Sequence, residues 1–404
     1  NPNKEKVSIL EDVDFELELI HKDEINVTYI LKLLGLFKES ENEEQKAKQK
    51  AYSIIPTAIE IFAGGGTLVR GLTDAGIKTV AAIELEDKYL ENLEANNPNV
   101  TTYCGDLAKL DISLLPNADL VVAGIPCEGY SQAQTKSEKF EAHPTGSLGF
   151  YVLKIIDAIR PAVVLIEEVP NFKNSAMAAM TRYVLNSMGY QITETILKGN
   201  EWGSLTRRKR YCMVASIKKG FSFDETLMNQ SLKKVGDILE IPIEQREWLT
   251  KDNSATIAYS LIKEQDHIRK GEGFRLERTS IDDTVVATVT KGYYKGRLTD
   301  PILIHPENSN MFSWFTPREL ARINGLPEDF ILTNTKSTNG EIIGQGVCYE
   351  AFNAVGKMII KHFNSIEFDE QKEKLDLFKS TLASVNNDDY SDEQLNCFMS
   401  GKLF

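Results

Sequence analysis

The sequence predicts an α/β chain built on a doubly wound, mostly parallel sheet and joined to a second, smaller domain. Three observations carry this. Short β-rich runs alternate with helically spaced segments over residues 56–216, three glycines follow the first run at once, and residues 217–310 then break the alternation. A chain of 404 residues with 42% hydrophobic content is long and apolar enough for a large core and more than one domain.

Residues 1–55 have a polar, helical pattern ending in KESENEEQKAKQKAYSIIP, where charge, low complexity and Pro56 mark a linker or an appended helix. Then TAIEIF, TVAAIE, ADLVVAG, PAVVLIEE and RYCMVAS read as strands, because each is an apolar run too short for a helix. The stretches between them have helical spacing. Residues 217–310 have few long apolar runs and mixed charge, the pattern of an inserted or second domain. Residues 311–364 return to helical spacing, and residues 365–404 read as an acidic helical tail with a frayed end. No internal repeat is present.

The net charge is -13, but it is unevenly spread. The two ends, residues 1–50 and 365–404, carry -4 and -5, which leaves about -4 for the middle. A cleft for a polyanion fits there, fed by TRRKR (Thr206–Arg210) and KGYYKGR (Lys291–Arg297), although either cluster alone reads more readily as solvated surface. No apolar run approaches the roughly 18 residues of a membrane span, and NPNKEKVSILEDVDFELELIH lacks a signal pattern. A cytoplasmic protein with no membrane partner is expected. Five cysteines, far apart and without CxxC or Cys/His spacing, argue against a disulfide framework or a metal site.

The first informative motif is EIFAGGGTLVRGLTDAG (Glu60–Gly76), a strand, a glycine triplet and a helix. Glycines there let backbone approach a ligand at a helix N-terminus. Glu84 ends the next strand, where an acid can accept from ribose hydroxyls, and Asp106 ends a third. This suits an adenosine-containing cofactor, yet a plain tight turn reads the same way, and a dinucleotide is not separated from S-adenosylmethionine. In VVAGIPCEGYS the thiol of Cys127 follows a proline-stiffened turn at a strand end, with Gly124 allowing close approach. That is the place of a poised nucleophile, where a lone cysteine is otherwise core packing. Glu167 and Glu168 end another buried run, as catalytic or as capping carboxylates. Arg208 and Arg210 alternate into a strand and so share a side, to orient those groups or to keep an edge soluble.

Together these motifs resemble the DNA cytosine-5 methyltransferases over roughly residues 56–362. FAGGGT, Glu84, Asp106, GIPCEGYS, IEEV, LTRRKRY, FTPRELARINGLPEDF (Phe315–Phe330) and IGQGVCYEAFNAVGKMI (Ile343–Ile359) follow the family's order. The resemblance implies a Rossmann-like methyltransferase sheet binding S-adenosyl-L-methionine, with S-adenosyl-L-homocysteine as product. It implies that Phe62, Ala63, Gly64, Gly65, Gly66, Thr67, Glu84, Leu85, Asp106, Leu107, Pro126, Gln345 and Val347 bind the cofactor. Cys127 would add to C6 of a flipped-out cytosine, Glu167 would bond or protonate N3, and Arg208 with Arg210 would fix the adduct. Residues 217–310 would be the target-recognition domain, rejoined to the catalytic domain by residues 311–364. Glu128, Ser131, Thr288, Lys291, Tyr293, Tyr294, Lys295 and Arg297 would meet double-stranded DNA, and the protein would act as a monomer.

Four positions depart from the family pattern: Glu128, Glu168 for an asparagine, Thr206 for a glutamine, and Gln345 for an asparagine. The added carboxylates bear on rate and context preference. Residues 10–50 resemble a different family, the carboxyl-terminal region of type I restriction-enzyme motor subunits, which implies a restriction–modification partner. A solvent-facing helical extension is the plainer reading. Besides an active DNA enzyme, the pattern leaves open an RNA-directed (tRNA) branch of the family, and a catalytically weak DNA-binding or docking protein.

Overall fold

The computed structural model describes residues 55–126, 148–229 and 233–365. The chain divides into two units, Asn1–Ala51 and Tyr52–Phe404, and the expectations for residues 1–54 and for the acidic tail lie outside the described residues.

The sheet forms from β1 (Thr57–Ile61), β2 (Lys78–Glu84), β3 (Thr101–Cys104), β4 (Leu120–Gly124), β5 (Val163–Glu168), β6 (Gln191–Lys198) and β7 (Lys209–Ser216). Its spatial order is β3-β2-β1-β4-β5-β7-β6, parallel except that β7 runs antiparallel to both β5 and β6. The winding reverses between β1 and β4, and in such sheets ligands bind at the carboxyl ends of the strands beside that switch. Helices α1 (Thr67–Ala75), α2 (Asp87–Asn96), α3 (Leu148–Ile159) and α4 (Ala176–Ser187) make the crossovers. The α1 helix buries Leu68, Val69 and Leu72 and ends at Gly76, whose φ of 106° only glycine adopts easily.

Every residue of β5 is buried, as expected for an interior strand covered on both faces. The edges of the sheet are β6, which none of the apolar runs read as strands covers, and β3, marked in the sequence only by Asp106 just past its end. They are half-exposed, so their apolar signal is weak.

After β7 the chain builds a second sheet, ordered β10-β9-β8, from β8 (Glu277–Thr279), β9 (Pro301–His305) and β10 (Asn308–Ser313). Ile257 of α5 (Ala255–Arg269) packs on it with Leu276, Leu298, Ile302 and Phe312. The β10 strand pairs antiparallel with β9 up to Ser313.

The FTPREL block forms α6 (Pro317–Ile323), opened by Pro317 and by a capping box in which Thr316 and Glu319 satisfy each other's backbone N–H. Glu319 also pairs with Arg246 in full burial and accepts from the N–H groups of Glu240 and Ile241. The block thus anchors the second domain. Next come α7 (Lys336–Gln345) and α8, residues 349–365. Phe352, Val355, Ile359 and Phe363 of α8 pack with Ala58, Val122, Leu165 and Val214 of the large sheet. No helix among the described residues is long and apolar enough to cross a membrane.

Candidate active site

The glycine triplet turns sharply off β1. Phe62 (φ 61°), Gly64 (φ 54°) and Gly66 (φ 82°) are left-handed, and Ala63 N–H donates to Ile83 O of β2 at 3.0 Å. Glu84, at the end of β2, holds this loop. Its Oε2 accepts from Gly64 N–H at 2.8 Å, and its Oε1 from Leu85 and Glu86 at 2.8 and 3.0 Å. Three donors on a carboxylate with about four acceptor sites leave room for one hydroxyl. Gly105 N–H donates to Glu84 O at 2.8 Å, which brings Asp106 and buried Leu107 to the same edge. The Asp106 carboxylate accepts from Ala108 N–H at 3.0 Å. Leu85 leaves a large aliphatic side chain exposed beside these acids.

From the far end of the sequence, α7 closes on the loop. A Cβ on Gly65 would lie 2.3 Å from Ile342, and one on Gly64 would lie 3.2 Å from the Gln345 amide. Thr67 Oγ1 accepts from Val347 N–H at 3.3 Å. The structure therefore gathers Phe62–Thr67, Glu84, Leu85, Asp106, Leu107, Gln345 and Val347 at one sheet edge. The backbone cradle, carboxylate and exposed leucine fit an adenosine-bearing group.

Pro126 ends the described part of the β4 edge, and Cys127, Glu128 and Ser131 lie outside the described residues. Gly124 is the register partner of Glu167 on β5. A Cβ there would sit 3.5 Å from Glu167 Oε2, an ordinary contact, so crowding does not require glycine at this position. Glu167 is buried and its Oε1 lies 2.5 Å from Arg210 Nε. Burial pushes its carboxyl up, against the pull of Arg210 and Arg208. This is a carboxyl able to hold a proton or give it up.

Arg208 behaves differently from the expected substrate contact. It is 1% exposed, and its guanidinium donates to Gly346 O at 2.9 Å and to the carbonyls of Gly344 and Val289. It joins β7 to α7 and to the second domain.

Two further carboxyls flank Glu167. Glu168 is 1% exposed, takes the Val169 N–H on one oxygen and has no hydrogen-bond partner on the other among the described residues. Burial, with Glu167 adding, holds its carboxyl well above the usual range. Glu60 on β1 is raised in the same way, burial first and Glu167 second, and likewise has an unpartnered oxygen. The sequence reading missed Glu60, although a charge in the middle of TAIEIF was a usable signal. Nearby Cys212 and Cys348 are buried and burial raises both thiols, which makes them poor nucleophiles. Among the described residues no group of His, Cys, Asp and Glu could hold a metal ion.

In the second domain the expected DNA contacts separate. Lys295 and Arg297 are exposed, Thr288 is half-buried, and Lys291 lies over the Tyr89 ring with its Nζ 5.5 Å from the centroid. Tyr293 must be corrected to a core residue. It is fully buried, and its hydroxyl donates to Pro301 O and accepts from Phe315 N–H, both at 3.0 Å. Tyr294 is half-buried and donates to Phe315 O at 2.8 Å. Two adjacent tyrosines in a basic loop looked like contacts; turn geometry sends them inward.

Comparison with known proteins agrees with this layout. Type II methyltransferase M.DsaV of Dactylococcopsis salina is 27% identical over 79% of this chain and 90% of its own length. M.NlaX of Neisseria lactamica is 26% identical over 74% and 95%. Among solved structures, S. pombe Dnmt2 methyltransferase superposes with a TM-score of 0.61 at 20% identity, covering 77% of this chain and 99% of that one. A putative DNA modification methyltransferase from an E. coli prophage gives 0.55 at 19%, over 76% and 99%. Residues 1–61 match the carboxyl-terminal region of subunit R of type I restriction and modification enzymes, overlapping β1. Residues 57–361 match the C-5 cytosine-specific DNA methylases, and the chain belongs to that family.

Proposed function

We propose that the protein transfers a methyl group from S-adenosylmethionine to C5 of a flipped-out cytosine in double-stranded DNA, through a covalent Cys127–C6 adduct. The observation that carries this is the buried Glu167 carboxyl, raised by burial and paired with Arg210, at the end of the strand next to the one that leads into Pro126 and Cys127. When bound, S-adenosylmethionine supplies an electrophilic methyl group, which no side chain can provide.

The chain's residues do the rest. Cytosine C5 is too weak a nucleophile until a thiolate adds to C6, and Glu167 favours that addition by giving or sharing a proton at N3. Once C5 is methylated, the C5 proton leaves to a base and the C6–S bond breaks, which returns the thiolate. Gly64–Gly66 and Glu84 would hold the adenosine end, with Gln345 and Val347 closing over the loop. The segment after β7, with exposed Lys295 and Arg297, supports duplex DNA as the substrate, as do relatives named Type II methyltransferases. The same names and the match of residues 1–61 support a restriction–modification setting.

The test is trapping on a pool of duplex DNA containing 5-fluorocytosine, where fluorine at C5 blocks the final elimination. A covalent, cofactor-dependent complex that disappears in Cys127→Ala is expected, and sequencing the bound duplexes gives the site. Trapping on transfer RNA alone, or S-adenosylmethionine binding with no trapping on either, would overturn the DNA assignment.

A further inference from the structure

We propose that Arg208 is a positioning residue. It locks the recognition segment and the end of α7 to β7, and sets the grip on DNA without touching the cytosine. The proposal rests on the reading above for its ligand, while the joint itself is read directly from the packing.

Arg208 is almost fully buried, and the carbonyls it meets come from segments 81, 136 and 138 residues away in sequence. Val289 belongs to the stretch that runs on to Lys291, Lys295 and Arg297; Gly344 and Gly346 end α7. A planar guanidinium with five donors can satisfy several carbonyls at once, and a cation suits the carbonyl end of a helix. Glu167 and buried Asp300 both lie within electrostatic reach of Arg208. Asp300 in turn accepts from Thr290 N–H and Oγ1 at 2.8 and 3.0 Å.

The surfaces it joins meet closely. A Cβ on Gly344 would lie 2.1 Å from Thr290 O and 2.7 Å from Lys291 N, so helix end and recognition segment touch backbone to backbone. One turn earlier, a Cβ on Gly340 would lie 2.7 Å from the Tyr294 ring. The opposite side of α7 rests on the glycine loop through Ile342, Gln345 and the Thr67–Val347 bond. The α7 helix is therefore a wedge between the cofactor loop and the DNA-facing segment, and Arg208 clamps its end. Two residues on, Arg210 holds Glu167.

The experiment measures equilibrium binding of Arg208→Lys and Gly344→Ala, without S-adenosylmethionine, to a duplex of the trapped sequence carrying ordinary cytosine and to the same duplex with an abasic site for the target cytosine. Lysine keeps the charge but not the planar set of donors, and Gly344→Ala forces the joint apart with Arg208 intact. Both are expected to weaken binding roughly 10- to 100-fold, the scale of one or two lost charged hydrogen bonds, and equally on both duplexes. Amide hydrogen exchange should quicken over residues 289–297 and 344–348 and stay unchanged in β1, β4 and β5. Gly340→Ala, which meets only the Tyr294 ring, is the milder variant if either fails to fold. A loss confined to the cytosine duplex would overturn the proposal, because Arg208 would then act through the base; so would unchanged exchange at the joint. If the natural chain traps no DNA, the DNA reading has failed, and the exchange measurement alone still decides the joint.

Discussion

Three carboxyls, Glu60, Glu167 and Glu168, lie buried near one another, and the ion pair with Arg210 belongs to Glu167. Folding therefore favours the protonated form of Glu60 and Glu168. A carboxyl whose folded value is raised stabilises the fold fully below the ordinary glutamate value of about 4.3, and that stability is lost as pH rises through the folded value. Glu168→Gln should thus match the natural chain in acid and grow more stable than it above about pH 4.3. The gain is about 1.4 kcal/mol per pH unit until the folded carboxyl ionises, read from urea midpoints across pH. A parallel pH dependence in both proteins would show Glu168 charged in the fold. Replacing Glu167 with glutamine removes the anion that Arg210 holds in the interior, so it should cost about 1–3 kcal/mol of stability near neutral pH and cut the methylation rate by roughly 100- to 10,000-fold, the usual worth of a general acid.

At the scale of elements, the glycine loop and α7 meet with no room to spare. Gly65→Ala would put a Cβ 2.3 Å from Ile342 Cγ2 and 2.8 Å from its Cγ1. Overpacking of this kind costs about 1–3 kcal/mol. A lower melting temperature and weaker S-adenosylhomocysteine binding are expected. Adding Ile342→Ala, which removes the colliding carbons, should restore part of both, and strict additivity of the two changes would show that the contact is not the cause. Glycine, strand and acid in that order were legible in the sequence because each is a local signal. The edge strands β3 and β6 were less so, since an edge is half-solvated and its pattern is diluted with polar residues.

At the scale of the whole unit from Tyr52 onward, the segments after β7 are tied together and to the large sheet by buried polar joints as well as by apolar packing. One is the Arg246–Glu319 pair, buried on both sides, which fastens residues 240–246 to α6. Arg246→Ala leaves a carboxylate buried without its cation and should cost about 3–5 kcal/mol of stability. Glu319→Ala should cost at least as much, because the N–H groups of Thr316, Glu240 and Ile241 lose their acceptor as well. Denaturant unfolding checks both, and a cost below about 1 kcal/mol for either would place the joint in water. Apolar packing adds a shared cluster, in which Val289 and Tyr293 of the second domain meet Phe315, Leu320, Ile343 and Tyr349.

By itself the sequence determined the α/β class, the order of the motifs, and which residue types stand at the carboxyl ends of the strands. These follow from local rules: apolar runs make strands, glycines allow left-handed turns, and the chain must cross over between parallel strands. Tertiary structure alone decided what each polar side chain faces. It turned Tyr293 into core, made Arg208 a clamp on three carbonyls, and left Glu60 and Glu168 with buried oxygens that no described residue satisfies. The reason is that burial and partnership depend on segments brought together from far apart in the chain, such as Arg208 with Gly346 138 residues away. A one-dimensional pattern holds no record of which backbone carbonyl will be waiting there.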